Sequence, residues 1–142
     1  MNYRFYGADA APISPLPEYA ALRDQYRLYD LLSEIWCEYS CAPRLRPNWS
    51  PANKTLGQCS ITSFLVQDLF GGEVYGIPLA GGGYHCYNVV KGVRFDLTSE
   101  QFGDEALVYD DKHPQSREEH FADREKYERY LYLKNELLKK PV

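Results

Sequence analysis

Apolar residues recur along this chain in two rhythms, and the switch between them divides it. From Glu18 to Ser40, Leu22, Tyr26, Tyr29, Ile35 or Trp36, and Tyr39 recur at three- and four-residue steps or their sum. That period places them on one face and predicts a helix. Pro43 and Pro47 end it and open a loop through Asn53. A second helix is predicted from about Gly57 to Phe70. Its Ile61, Phe64, Leu65, Val66, Leu69 and Phe70 leave only a narrow polar stripe through Ser60, Ser63 and Gln67. A helix apolar around most of its circumference lies inside the molecule. Gly71-Gly72 stops it, because glycine readily takes the left-handed conformation of a C-terminal cap.

The rhythm then becomes that of strands. "EVYGIPLA" carries Pro78, which marks an edge or a bulge. "YHCYNVV" and "VRFDLT" are separated by Lys91-Gly92, the length of a two-residue hairpin link. Helical spacing returns from Ser116 to Lys140 in a long charged segment. Phe121, Tyr127, Tyr130, Leu131, Leu137 and Leu138 are its inner positions. Ahead of the first helix, residues 1–17 include Pro12, Pro15 and Pro17 and predict an extended arm over the surface. The order helix, buried helix, antiparallel strands, helix is an α+β layout, not alternating βαβ units.

Composition narrows the picture further. A chain of 142 residues suits one domain with a sizeable core. A net charge of −4 gives no electrostatic reason to expect nucleic acid or an anionic membrane as partner. No stretch reaches the roughly 20 apolar residues of a spanning helix. "MNYRFYGADAAP" lacks the apolar run of a signal peptide, so a cytoplasmic chain with free thiols is expected. Thirteen tyrosines suggest amphipathic packing at groove edges or interfaces.

The candidate chemistry begins at Cys59. A cysteine is a useful nucleophile as a thiolate, and the first turn of a helix favours an anion. A nearby imidazole can take the proton and remain as the counter-cation. His85 is the candidate base. If Lys91 and Gly92 form the hairpin loop, Val90 pairs with Val93, Tyr87 with Asp96 and His85 with Thr98. Paired residues share a sheet face, so Asp96 lies diagonal to His85 and can orient its ring. A one-residue slip would send Asp96 to the opposite face. Gln58 has two readings. Its amide can support an oxyanion beside the Cys59 N–H, or Thr55-Leu56-Gly57-Gln58 can form a capping box.

"GQC" opening a helix, "HCYN" on one strand and "DLTSEQF" on the next resemble the YunG-like family of small bacterial proteins. The likeness covers roughly residues 49–103, and "ERYLYLKNELL" is similar to that family's last helix. The same order is similar to the wider transglutaminase and papain-like thiol fold. That resemblance implies Cys59 as nucleophile, His85 as general base and acid, Asp96 as orienting residue, and Gln58 or Asn88 as polar support. Only eleven positions separate His85 from Asp96, which is short for transglutaminase-like enzymes and implies a compact sheet.

The expected activity is cysteine-dependent acyl transfer on an amide, ester or thioester, by hydrolysis, deamidation or transfer to an amine, with no cofactor. Two other classes stand beside it. One is a non-catalytic binding module using the tyrosine-rich arm and first helix as a partner surface. The other is a thiol-based toxin or effector. The remaining cysteines read as structural. Cys86 is expected on the face opposite His85, and Cys37 and Cys41 stand i, i+4 on the first helix without the further ligands of a closed zinc site. "GGG" at 81–83 lacks the ending of a phosphate loop and reads as backbone freedom before His85.

Overall fold

A computed structural model describes residues 3–140. At its centre lies α2 (Cys59–Phe70), with Ile61, Phe64, Leu65, Val66 and Leu69 fully buried. Burial of each such side chain contributes roughly 1.5–3 kcal/mol. The helix packs against a three-stranded antiparallel sheet on one side and the C-terminal helix on another. Gly71, at φ 79°, ends it by donating its N–H to the Gln67 carbonyl at 2.8 Å. The result is a mixed α+β architecture with one small sheet and several helices.

The sheet order is β1 (Glu73–Pro78), β2 (Tyr84–Val90), β3 (Val93–Phe95). Lys91 and Gly92 have φ of 51° and 79°, the left-handed pair that a two-residue hairpin requires. Val90 pairs with Val93, Val89 with Arg94 and Asn88 with Phe95. The ladder stops there and does not run on to a Tyr87–Asp96 or a His85–Thr98 pair. Asp96 turns the chain instead, its carboxylate Oδ1 accepting from the Thr98 N–H at 3.1 Å and its carbonyl from the Ser99 N–H at 3.2 Å. A short 3₁₀ turn, Ser99–Phe102, follows.

Both sheet edges are covered, which removes exposed backbone from aggregation. Along β1, the Gly76 N–H donates to the His113 carbonyl and the Gln115 N–H to the Val74 carbonyl. Along β3, the Asp96 N–H donates to the Tyr6 carbonyl at 3.0 Å. Tyr6 belongs to the arm, and the arm is no mere surface strap. Phe5 and Ile13 are core residues, and the Ile13 N–H donates to the buried Gln25 side chain at 2.8 Å. Tyr26 and Tyr29 pack on Phe5, with ring centroids 5.7 and 5.0 Å away.

The outer helices are shorter than their apolar periodicity. A 3₁₀ helix covers Pro17–Leu22, and α1 spans only Gln25–Ile35. The break falls at Arg23, where φ is 70°, and Asp24 caps α1 by accepting from the Tyr26 and Arg27 N–H groups. Beyond Ile35 the chain turns, so Cys37 and Cys41 lie past the helix, with the Cys41 N–H donating to the Cys37 carbonyl at 3.2 Å. The C-terminal segment also divides, into α3 (Arg117–Phe121) and α4 (Arg124–Leu138). Asp123 caps the second piece through the Lys126 N–H. Among the described residues, no helix is long and apolar enough to cross a membrane.

Candidate active site

Cys59 is the first residue of α2 and half-buried. The glycine before Gln58 shapes its approach. Gly57 has φ +72°, and a Cβ there would meet Cys41 Sγ at 2.6 Å and the Ala42 nitrogen at 2.9 Å. Only glycine fits both the backbone conformation and the space. No side chain caps α2, so the N–H groups of its first turn remain open to an anion.

His85 stands near the start of β2, only 1% exposed. Its Nε2 lies 2.6 Å from Asp96 Oδ2. Asp96 is as deeply buried and fully engaged. Oδ2 also accepts from the Tyr109 hydroxyl at 2.7 Å, and Oδ1 accepts from the Thr98 N–H and hydroxyl. With Nε2 occupied, the other ring nitrogen, Nδ1, is buried and has no formed hydrogen bond among the described residues. Cys59 and His85 line one cleft of about 740 Å³, with Tyr84, Phe102, His120 and Lys126. Phe102 meets the His85 ring edge-on, at 4.7 Å between centroids.

The shifts of His85 and Cys59 both favour the charged form. Burial alone would lower the His85 pKa, but the Asp96 charge and hydrogen bond, together with Cys59, push it up to about 10. The Cys59 thiol is held well below its ordinary range, first by the neighbouring Cys86 thiol and then, against burial, by His85. Nδ1 is the ring atom left to act on the sulfur, across a gap not closed into a formed hydrogen bond. Such loose contacts tighten when substrate binds. Both shifts favour the charged forms, an imidazolium and a thiolate.

Cys86 is fully buried next to this pair, on the face of β2 that Asn88 turns toward α2. The neighbouring Cys59 and burial push its own thiol well above the ordinary range.

The two amides expected as polar support sit behind the cleft wall. Gln58 is fully buried, and its Nε2 donates to the Cys37 carbonyl at 3.1 Å, which leaves one N–H of that group uncommitted. It makes no capping bond to α2 and none to the Thr55 backbone through its side chain. Asn88 Nδ2 donates to the Ser63 carbonyl at 2.9 Å and ties β2 to α2.

The YunG protein family model matches residues 24–141. The chain belongs to the YunG family. The uncharacterized protein YunG of Bacillus subtilis (strain 168) is 34% identical to it over 104 residues, which is 73% of this chain and 83% of the relative. No solved structure matches.

Three residues of this YunG-family chain join the site without having been singled out from sequence. Tyr109 shares Asp96 Oδ2 with the histidine, and burial and Asp96 push its phenol far above the ordinary range. Its ring stacks on Tyr6 at 3.8 Å between centroids, which links the arm to the site. His120 and Lys126 come from the C-terminal segment. Lys126 Nζ lies 3.0 Å from His120 Nδ1, and His120 Nε2 lies 2.8 Å from Gln115 Oε1. An ammonium only donates, so Nδ1 accepts and Nε2 carries the proton. His120 is therefore neutral, and burial with the Lys126 charge lowers its pKa.

Proposed function

We propose that this chain is a thiol acyl-transfer enzyme of papain- or transglutaminase-like design, acting through Cys59, His85 and Asp96. The observation that carries the reading is the 2.6 Å His85–Asp96 contact, which commits Nε2 and leaves Nδ1 for the cleft sulfur at the open start of a helix. A cysteine at the head of a buried helix, a histidine on one strand and an aspartate just past the next also follow the order of that thiol fold.

In the reaction, the Cys59 thiolate attacks an amide, ester or thioester carbonyl and forms a C–S bond. The Cys59 backbone N–H faces the developing oxyanion. The tetrahedral intermediate collapses, the His85 imidazolium gives its Nδ1 proton to the leaving group, and an acyl-enzyme remains. Water or an amine then attacks the thioester carbonyl while His85 takes a proton from it. Expulsion of the Cys59 thiolate restores the starting pair. Asp96 holds the ring in one orientation and offsets the charge of the imidazolium.

Trapping tests this. With p-nitrophenyl acetate as acyl donor, peptide mass spectrometry is expected to find the acetyl group on Cys59 first. The Cys59→Ala variant should lose the burst of p-nitrophenol, and His85→Ala should slow it by 10²-fold or more, on the order of one general acid–base group. Acetylation of Cys59 no faster than of half-buried Cys37 would end the proposal.

A further inference from the structure

Charge in the cleft is unevenly matched. Of its acidic side chains, Glu125 accepts from the Arg129 Nε through both oxygens, at 2.9 and 2.8 Å, and pairs with Arg46 at 3.3 Å. Arg129 is buried and completes its bonding with the Ser40 carbonyl at 3.0 Å. Asp123 is occupied as the α4 cap. Lys126 differs from all of these. Its ammonium contacts the neutral imidazole of His120, and no carboxylate forms a salt bridge with it among the described residues.

Lys126 also stands at the reactive end of the cleft. It lines the same cavity as Cys59 and His85, beside His120. The Cys59 charge reaches His120, and the Lys126 charge reaches Cys86. His120 in turn is fixed by Gln115 Oε1 and packs on Phe64 of α2, at 5.1 Å between ring centroids. The ammonium is thus carried by a rigid imidazole instead of trailing in solvent. A fixed, half-buried cation with no carboxylate paired to it is a receptor for an anion.

We infer that Lys126, positioned by His120, binds a carboxylate of the substrate, so that the cleft selects acyl compounds bearing a negative charge close to the reacting carbonyl, such as acidic peptides. This rests on the acyl-transfer reading and names the substrate class for it. Lys126 touches the substrate, and His120 acts through Lys126 as a positioning residue.

Two alkylating agents of nearly equal size make the test: iodoacetate, an anion, and iodoacetamide, which is neutral. The rate of each on Cys59 is measured in the full-length chain, and their ratio divides out the thiolate fraction. The ratio at Cys59 should exceed the ratio for glutathione. In Lys126→Gln it should drop about fivefold, the weight of one charge at several ångströms in a half-solvated cleft, while Lys126→Arg retains it. Added salt should lower it in the wild type and much less in Lys126→Gln. His120→Ala should lower it in part. A ratio unchanged within twofold by Lys126→Gln would overturn the inference. The pH dependence of the iodoacetamide rate reports separately on activation of Cys59, so failure of the acyl-transfer reading is read from a different curve.

Discussion

The His85 ring sits in two opposed influences, burial against its charge and the Asp96 carboxylate in favour of it, and the carboxylate prevails. The folded value of about 10 lies above the unfolded value near 6.5, so the stability from the imidazolium is complete below about pH 6.5 and is lost as pH rises through about 10. Cys59 has the opposite sign. Its folded pKa is depressed, so its contribution is complete above the ordinary thiol value near 8.5 and is lost as pH falls through the folded one. Where pH lies above both about 6.5 and the depressed Cys59 value, and below about 8.5, the two slopes oppose each other. Above that, the His85 slope is joined by those of Cys86 and Cys41, whose raised thiols act in the same direction, and the unfolding temperature should fall toward pH 10. In Asp96→Asn burial governs the ring, its pKa drops, and this alkaline fall should flatten relative to wild type in thermal melts. An equal fall in both proteins would mean that the ring is not its source.

Elements place these residues, and here the sequence was unevenly legible. Lys91-Gly92 announced a two-residue hairpin, and its register followed from that length alone, through Val90–Val93. The buried character of α2 was equally plain, because apolar residues surround it. The outer helices were overextended, because an apolar stripe runs straight through the breaks at Arg23 and Ala122. The stop signals are Asp24 and Asp123, each a capping carboxylate that interrupts the periodicity. Tyr109 stood in a segment of irregular backbone with no period to give its direction, and Lys126 was indistinguishable from other solvated charges. Gly57 marks no more than a helix start in the sequence, yet its constraint is severe. Gly57→Ala adds a methyl against Cys41 at a left-handed position, and a loss of about 1–3 kcal/mol is expected in denaturant unfolding. A loss below about 0.5 kcal/mol would show that the turn relaxes freely.

At the scale of the whole molecule, the arm joins the core to the site. Phe5 fills the core between Tyr26 and Tyr29, while its neighbour Tyr6 bridges Asp96 and stacks on Tyr109. Sequence alone suggested a surface strap, because prolines dominate residues 12–17 and hide the buried Phe5 and Ile13. Phe5→Ala is expected to cost about 3–5 kcal/mol, measured by urea unfolding. A cost under about 1 kcal/mol would mean that the arm lies on the fold without completing it.

The proposed thiolate at the head of α2 is the point on which the acyl-transfer reading depends. The most direct measurement is the rate of iodoacetamide alkylation of Cys59 against pH, in wild type and in His85→Ala. The wild-type rate should rise with a midpoint well below the ~8.5 of an ordinary thiol, and His85→Ala should move that midpoint upward. A single midpoint near 8.5 in both proteins would contradict the ion pair and leave Cys59 an ordinary half-buried cysteine.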